Sequence, residues 1–140
     1  MKINSSRDAG IQGERTAVRF LKEKGFLIRA ANWKCSAGEI DIVASEFSGA
    51  AGVSSGDGKP KDREEVLVFI EVKVRNNVSF ADIREAVDER KQERIIRAAL
   101  CYIKKHVREL VDVRFDCVLI SPGNIEHIED AFGSAFEYSI

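Results

Sequence analysis

Two rhythms of apolar spacing divide the chain into helix, strands, helix and strand. From about Asp8 to Lys24, Ala17, Val18 and Leu21 recur at helical intervals, and Gly25 follows as a residue suited to the left-handed turn that ends helices. Phe26 to Cys35 reads as a strand and Ser36-Ala37-Gly38 as a tight turn. Gly38-Glu39-Ile40-Asp41-Ile42-Val43-Ala44 is then the returning strand of a hairpin. Val66-Leu67-Val68-Phe69-Ile70-Glu71-Val72-Lys73 predicts a buried strand ending at Val74, and Arg75-Asn76-Asn77-Val78-Ser79 a polar loop. A long helical stretch from about Phe80 to His106 breaks near Asp88. Val111 to Ser121 is another strand, Pro122-Gly123-Asn124 a turn, and Ile125 to Phe132 a short edge strand and a turn. Between about Glu46 and Glu65 there is no periodicity and much Gly and Ser, which predicts a flexible loop. This order implies a mixed α/β domain with helices packed on one sheet. No internal repeat appears.

A few charged residues break these patterns. Side chains alternate along a strand, so Glu71 and Lys73 project from the same side of an otherwise apolar run. A buried charge is costly unless it is paired or binds an ion. The hairpin strand repeats the oddity, with Glu39 and Asp41 on one face and Ile40 and Ile42 on the other. In the first helix Glu14 precedes Ala17, Val18 and Leu21 by three, four and seven residues and so shares the inward stripe. Glu14 either favours the positive end of the helix or serves a site. Lys91 interrupts the stripe of Ile83, Val87, Ile95, Ala98 and Tyr102, which snorkelling over a helix edge also explains. The two strands alone would aim three carboxylates (Glu39, Asp41 and Glu71) and Lys73 at one point, the composition of a metal-dependent hydrolytic site; the competing reading is a buried structural ion network.

A chain of 140 residues fits one domain spanning 1–140 with its own core. Cys35, Cys101 and Cys117 are odd in number and show no C-x-x-C spacing, as expected of a protein of the reducing cytoplasm. His106 and His127 have no ligand spacing, so any metal would be held by oxygen. No apolar run is long enough to span a bilayer and the first residues lack the apolar stretch of a signal peptide, so a soluble, intracellular protein is expected. The net charge of −1 and a pI near 6.2 give no global attraction to nucleic acid. A nucleic-acid partner would have to meet a local patch.

Asp41 followed by Glu71-Val72-Lys73 resembles the P-D…(D/E)-x-K nuclease superfamily. The whole chain resembles the bacterial YraN family of predicted endonucleases, distantly similar to Holliday-junction resolvases. The matching pieces are Gly13-Glu14, Asn32-Trp33, Gly38 to Ala44, Val68 to Arg75, Arg90-Lys91-Gln92, Arg114-Phe115-Asp116 and His127 to Phe132. Two features depart from the pattern: Ile40 stands before the motif Asp in place of proline, and the loop after Glu46 is longer than expected. The resemblance implies a restriction-endonuclease-like mixed β-sheet flanked by α-helices. It also implies a metal-dependent endonuclease acting on nucleic acid, DNA and branched DNA among the candidates. Mg²⁺ or Mn²⁺ would be held by Asp41, Glu71, the Val72 backbone carbonyl and Glu14, with Lys73 orienting the attacking water and Glu39 a second-rank candidate. Lys91 and Gln92 are expected beside the backbone phosphates, with Arg75 and Arg90 extending the contact. Arg94 and Arg97 can do the same or form solvated ion pairs. A homodimer is implied by the likeness to resolvases; Val111 to Ile120 and the apolar C-terminal Phe132, Phe136, Tyr138 and Ile140 either offer surface for it or close the monomer core. The alternative is a non-cleaving nucleic-acid-binding module on the same fold.

Overall fold

A computed structural model describes residues 5–48, 64–75, 87–133 and 136–138. The described residues form α1 (Ser5–Glu23), β1 (Leu27–Cys35), β2 (Gly38–Ser48), β3 (Glu64–Val74), α2 (Glu89–His106), β4 (Asp112–Ser121) and β5 (Asn124–Phe132). The five strands lie in chain order in one mixed sheet, in which only β3 and β4 run parallel. That parallel step is where α2 crosses over, as parallel neighbours require. The fold is α/β, consistent with a restriction-endonuclease-like arrangement.

Each helix covers one face of the sheet. Leu67, Phe69, Phe115, Cys117 and Leu119 alternate toward α2 and pack with Ile95, Ala98, Ala99, Tyr102 and Ile103. Ile42, Ala44, Val68, Ile70 and Val118 point the other way, onto Ala17 and Leu21 of α1. The near-continuous apolar runs of β3 and β4 are thus those of strands buried on both faces. α1 ends in a Schellman turn, with Phe26 N–H donating to Leu21 O at 3.0 Å, Gly25 N–H to Lys22 O at 3.0 Å, and Gly25 at a φ of 97°. α2 is capped at its start by Asp88, whose carboxylate accepts the Lys91 backbone N–H at 2.9 Å. The break expected near Asp88 is this helix start; Ile83 and the rest of 76–86 lie outside the described residues.

The middle of α1 lies very close to the sheet. A Cβ built on Gly13 would stand 2.4 Å from Val74 Cγ2 and 3.9 Å from Val72 and Ile120, so with a larger residue either the helix or the Val74 side chain must shift. Gly13→Ala is expected to cost about 1–3 kcal/mol, the usual scale of overpacking, read as a lower urea midpoint. An unchanged midpoint would show that Val74 yields freely.

Three expectations need correction. Ile125 to Phe132 is an edge strand as expected but not a short one followed by a turn: β5 runs nine residues and pairs with β4 from Ser121↔Asn124 to Phe115↔Phe132. β2 extends to Ser48 and β3 starts at Glu64, so the ends assigned to the loop from Glu46 to Glu65 are strand, and its middle lies outside the described residues. Ile40 and Ile42 do not share a face. Ile40 packs on the α2 side and Ile42 on the α1 side, while opposite them Asn32 of β1 takes a φ of 54°. Simple alternation fails where the strand is wrenched by a left-handed residue in its partner.

Both outer strands carry such irregularities. β1 shifts register between Ile28 and Ala30, and β5 is bulged opposite Phe115 to Cys117, where Asp130 takes a φ of 51°. The apolar C-terminal residues offered as partner surface close the core instead. Phe132 and Phe136 both pack on Phe115, with ring centroids 5.3 and 5.2 Å away, and the Tyr138 hydroxyl is bonded to the backbone of Val111. Ile140 lies outside the described residues. No described helix is long and apolar enough to cross a membrane.

Candidate active site

The β2–β3 ladder runs from Ser48↔Glu64 to Ile42↔Ile70 and stops there. In the next position the strands diverge, and the Val72 N–H is taken by the Asp41 carboxylate at 2.8 Å. A side chain thus replaces a ladder bond, and it carries Asp41 to the side of Glu71. Glu71 continues the Leu67, Phe69 alternation toward α2 and is 5% exposed. Gly13 lets α1 approach the end of β3, and the following residue, Glu14, reaches Asp41 with a hydrogen bond. Three elements therefore bring Glu14, Asp41 and Glu71 together.

The electrostatics register this crowding. Burial and the neighbouring Glu71 charge push the Asp41 carboxyl up to about 7, against the Val72 N–H that stabilises its anion. Burial also raises Glu14, partly offset by its bond with Asp41, with Glu39 and Glu71 adding repulsion. Two lysines answer the excess charge. Lys91 Nζ lies 2.7 Å from Glu71 Oε1 and Lys73 Nζ 4.0 Å from the same oxygen. Lys73 is held below its ordinary value by burial and by the adjacent Lys91 ammonium. For Lys91 burial pulls the other way, and its bond to Glu71 outweighs it, so its pKa is raised.

A pH dependence follows from Asp41. Its folded pKa lies above the unfolded value, so the stability it contributes is full below about pH 4 and is lost as pH rises toward 7. In a chelating buffer, the chain is expected to lose stability between about pH 4 and 7, and Asp41→Asn to flatten that slope. Parallel slopes in the two proteins would remove Asp41 as the cause.

The other expected residues are placed less centrally. Glu39 is exposed and faces Lys34 at 3.9 Å across the hairpin, a solvated pair at the rim. Lys91 does not snorkel idly, since Glu71 holds it. Gln92 bends back, its side-chain N–H donating to Val87 O at 2.9 Å, so that amide is used inside the helix start. Arg90, Arg94 and Arg97 are exposed on α2. Arg75 is exposed at the end of β3, where its backbone N–H donates to Ile120 O at 2.8 Å.

The donor set suits a hard cation, being all oxygen and over-supplied with negative charge. Among the described residues no three Asp, Glu, His or Cys side chains stand ready as a ligand group. Mg²⁺ usually takes one or two carboxylates and keeps several waters. Asp41 and Glu71 meet that requirement, with Glu14 behind Asp41.

A second buried charge cluster lies on the α1 side and went unnoticed as a unit in the sequence. Arg114 clamps Asp116 through two bonds of 2.8 and 2.9 Å and donates to Glu46 at 3.0 Å. Asp116 also lies 2.7 Å from His127 Nε2 and accepts the Asp130 N–H at 3.0 Å. Lys24 Nζ lies 2.6 Å from His127 Nδ1, so the ring accepts there and donates to Asp116 through Nε2. This network is fully satisfied and ties β5 to β4. Only Arg114 and Asp116, two apart on one strand, signalled it. A cavity of about 920 Å³ at the far end of the sheet, lined by Arg29, Phe47, Tyr102 and His106 among others, holds none of the clustered carboxylates.

Comparison with known proteins places this arrangement in a family. The model of uncharacterised protein family UPF0102 matches residues 13–120. A UPF0102 protein of Bacteroides thetaiotaomicron is 39% identical over 129 residues, covering 89% of this chain and 92% of its own. One from Phocaeicola vulgatus is 38% identical over 127 residues, covering 88% and 90%, and one from Myxococcus xanthus 32% over 130 residues, covering 90% of each. The match takes in Glu14, Asp41, Glu71, Lys73 and Lys91, and the chain belongs to the uncharacterised protein family UPF0102.

Proposed function

We propose that the chain is a divalent-metal-dependent endonuclease of the P-D…(D/E)-x-K kind, as its resemblance to the YraN family implies. The observation that carries this reading is the meeting of Asp41 with Glu71-Val72-Lys73 where two paired strands diverge. Asp41 and Glu71 would hold Mg²⁺ or Mn²⁺ together with the Val72 carbonyl, with Glu14 holding Asp41 in place. The bound ion would supply Lewis-acid stabilisation of phosphate charge and acidify water. Lys73 is kept near Glu71 by its strand and by burial, so its ammonium is already in place to orient a water and to meet charge growing on the phosphorus oxygens. The exposed Arg90 at the start of α2 would extend the contact to the backbone phosphates.

Labelled single-stranded, duplex and four-way-junction DNA, with matching RNA, incubated with Mg²⁺ or Mn²⁺ test the reading. Cleavage of at least one substrate, lost in Asp41→Asn, is the expected result; an intact panel would overturn it. Retained binding with no cleavage would instead favour the non-cleaving module. A homodimer belongs to the nuclease reading, because one site cuts one strand. Sedimentation with a junction present should show two chains of 15.6 kDa bound to each junction; a single chain would leave a nicking activity.

A further inference from the structure

Glu71 is the most buried carboxylate of the site and its Oε1 has two ammonium partners at unequal distances, Lys91 at 2.7 Å and Lys73 at 4.0 Å. The two lysines differ in freedom. Lys73 belongs to a central strand and its side chain is 27% exposed, whereas Lys91 enters from the first turn of α2 and is 40% exposed. The backbone of that turn is pinned by the Asp88 cap, so Lys91 can move only by swinging its flexible stem. A divalent ion bound to Glu71 would place a third cation at a carboxylate already bonded to Lys91 and faced by Lys73, and like charges that close repel strongly in a partly buried site. Lys91 has somewhere to go: outward, to the helix start where Arg90 is also exposed.

We infer that Lys91 is the exchangeable counter-ion of the site, neutralising Glu71 until a divalent cation displaces it, and that the released ammonium then meets the phosphate of an incoming strand. The first half concerns ion binding alone; the second rests on the nuclease reading. Lys91 is thus a competitor of the metal and a positioning group for substrate, two roles carried by one side chain. Lys73 stays beside Glu71 throughout.

Calorimetric titration of the full chain with Mn²⁺ tests the exchange. Lys91→Met is expected to bind the ion about tenfold more tightly than the natural chain, because its competitor is gone. Lys91→Arg, which keeps the charge, should stay close to the natural affinity. Lys91→Gln keeps a hydrogen-bond donor for the buried carboxylate, guards against loss of the fold, and should shift in the same direction as Lys91→Met. Unchanged or weaker ion binding in both neutral variants would overturn the inference. For the second half, a short DNA duplex titrated in Ca²⁺ should gain less affinity from the ion in Lys91→Met than in the natural chain, and an equal gain would overturn it. Cleavage with unchanged ion affinity sinks the exchange and leaves the nuclease standing. Tighter ion binding with an intact substrate panel does the reverse.

Discussion

Lys73→Ala is expected to lower cleavage by about 10²- to 10³-fold, the usual loss on removing one preplaced electrostatic group, while leaving Mn²⁺ affinity nearly unchanged. The separation follows from the distances at Glu71. Its tight partner is Lys91 at 2.7 Å, so removing Lys73 at 4.0 Å leaves the carboxylate paired and its position kept. Glu71→Gln should behave differently, losing ion binding and cleavage together, because it removes a charged ligand from a site that has two. Single-turnover rates and ion titrations on both variants separate the roles. Equal loss of ion binding in the two would reassign Lys73 from the reacting phosphate to the metal.

Asp116→Ala should cost about 3–5 kcal/mol in urea unfolding, a large share of a small domain's stability. Asp116 is fully buried and receives two bonds of the Arg114 guanidinium, so its removal leaves that largely buried cation with Glu46 as its remaining carboxylate partner. It also unpartners His127 Nε2 and the Asp130 N–H. Burial would raise the Asp116 carboxyl, but His127 and Arg114 outweigh it and hold the pKa below the ordinary range. The stability it contributes is therefore present above the ordinary carboxylate range and is lost as pH falls through the folded value. Replacing Arg114 and Asp116 together with apolar residues should restore part of the loss. A loss below about 1 kcal/mol for Asp116→Ala would show that water reaches the cluster.

Local pattern foretold what depends on one element. The run from Val66 to Ile70 announced a doubly buried strand, and Glu71 and Lys73 stood out because they interrupt it on one side. Glu14 broke the inward stripe of α1 and does reach Asp41. What depended on register or on distant packing was hidden. The joining of Asp41 to the Val72 N–H exists because the β2–β3 ladder ends at Ile42↔Ile70, which no window of sequence reveals. The seat of Lys91 on Glu71 needs the crossover of α2 over the sheet. His127 is invisible as a partner of Asp116 until β5 pairs with β4 beside it. Ile40 and Ile42 misled because alternation assumes regular pairing, and Asn32 breaks it from the neighbouring strand.

The bulges in β1 and β5 bear on how copies of this chain meet one another. An outermost strand offers a row of unused N–H and C=O groups, an invitation to open-ended stacking into aggregates. Here each rim of the sheet is kinked, β1 by its register shift and by Asn32, β5 by its bulge and by Asp130. The kink in β5 is anchored, since the Asp130 N–H is spent inward on Asp116. A second copy laid along either rim meets an interrupted ladder and gains few of the bonds that would reward joining. Open-ended growth of the sheet along its rims is thereby disfavoured.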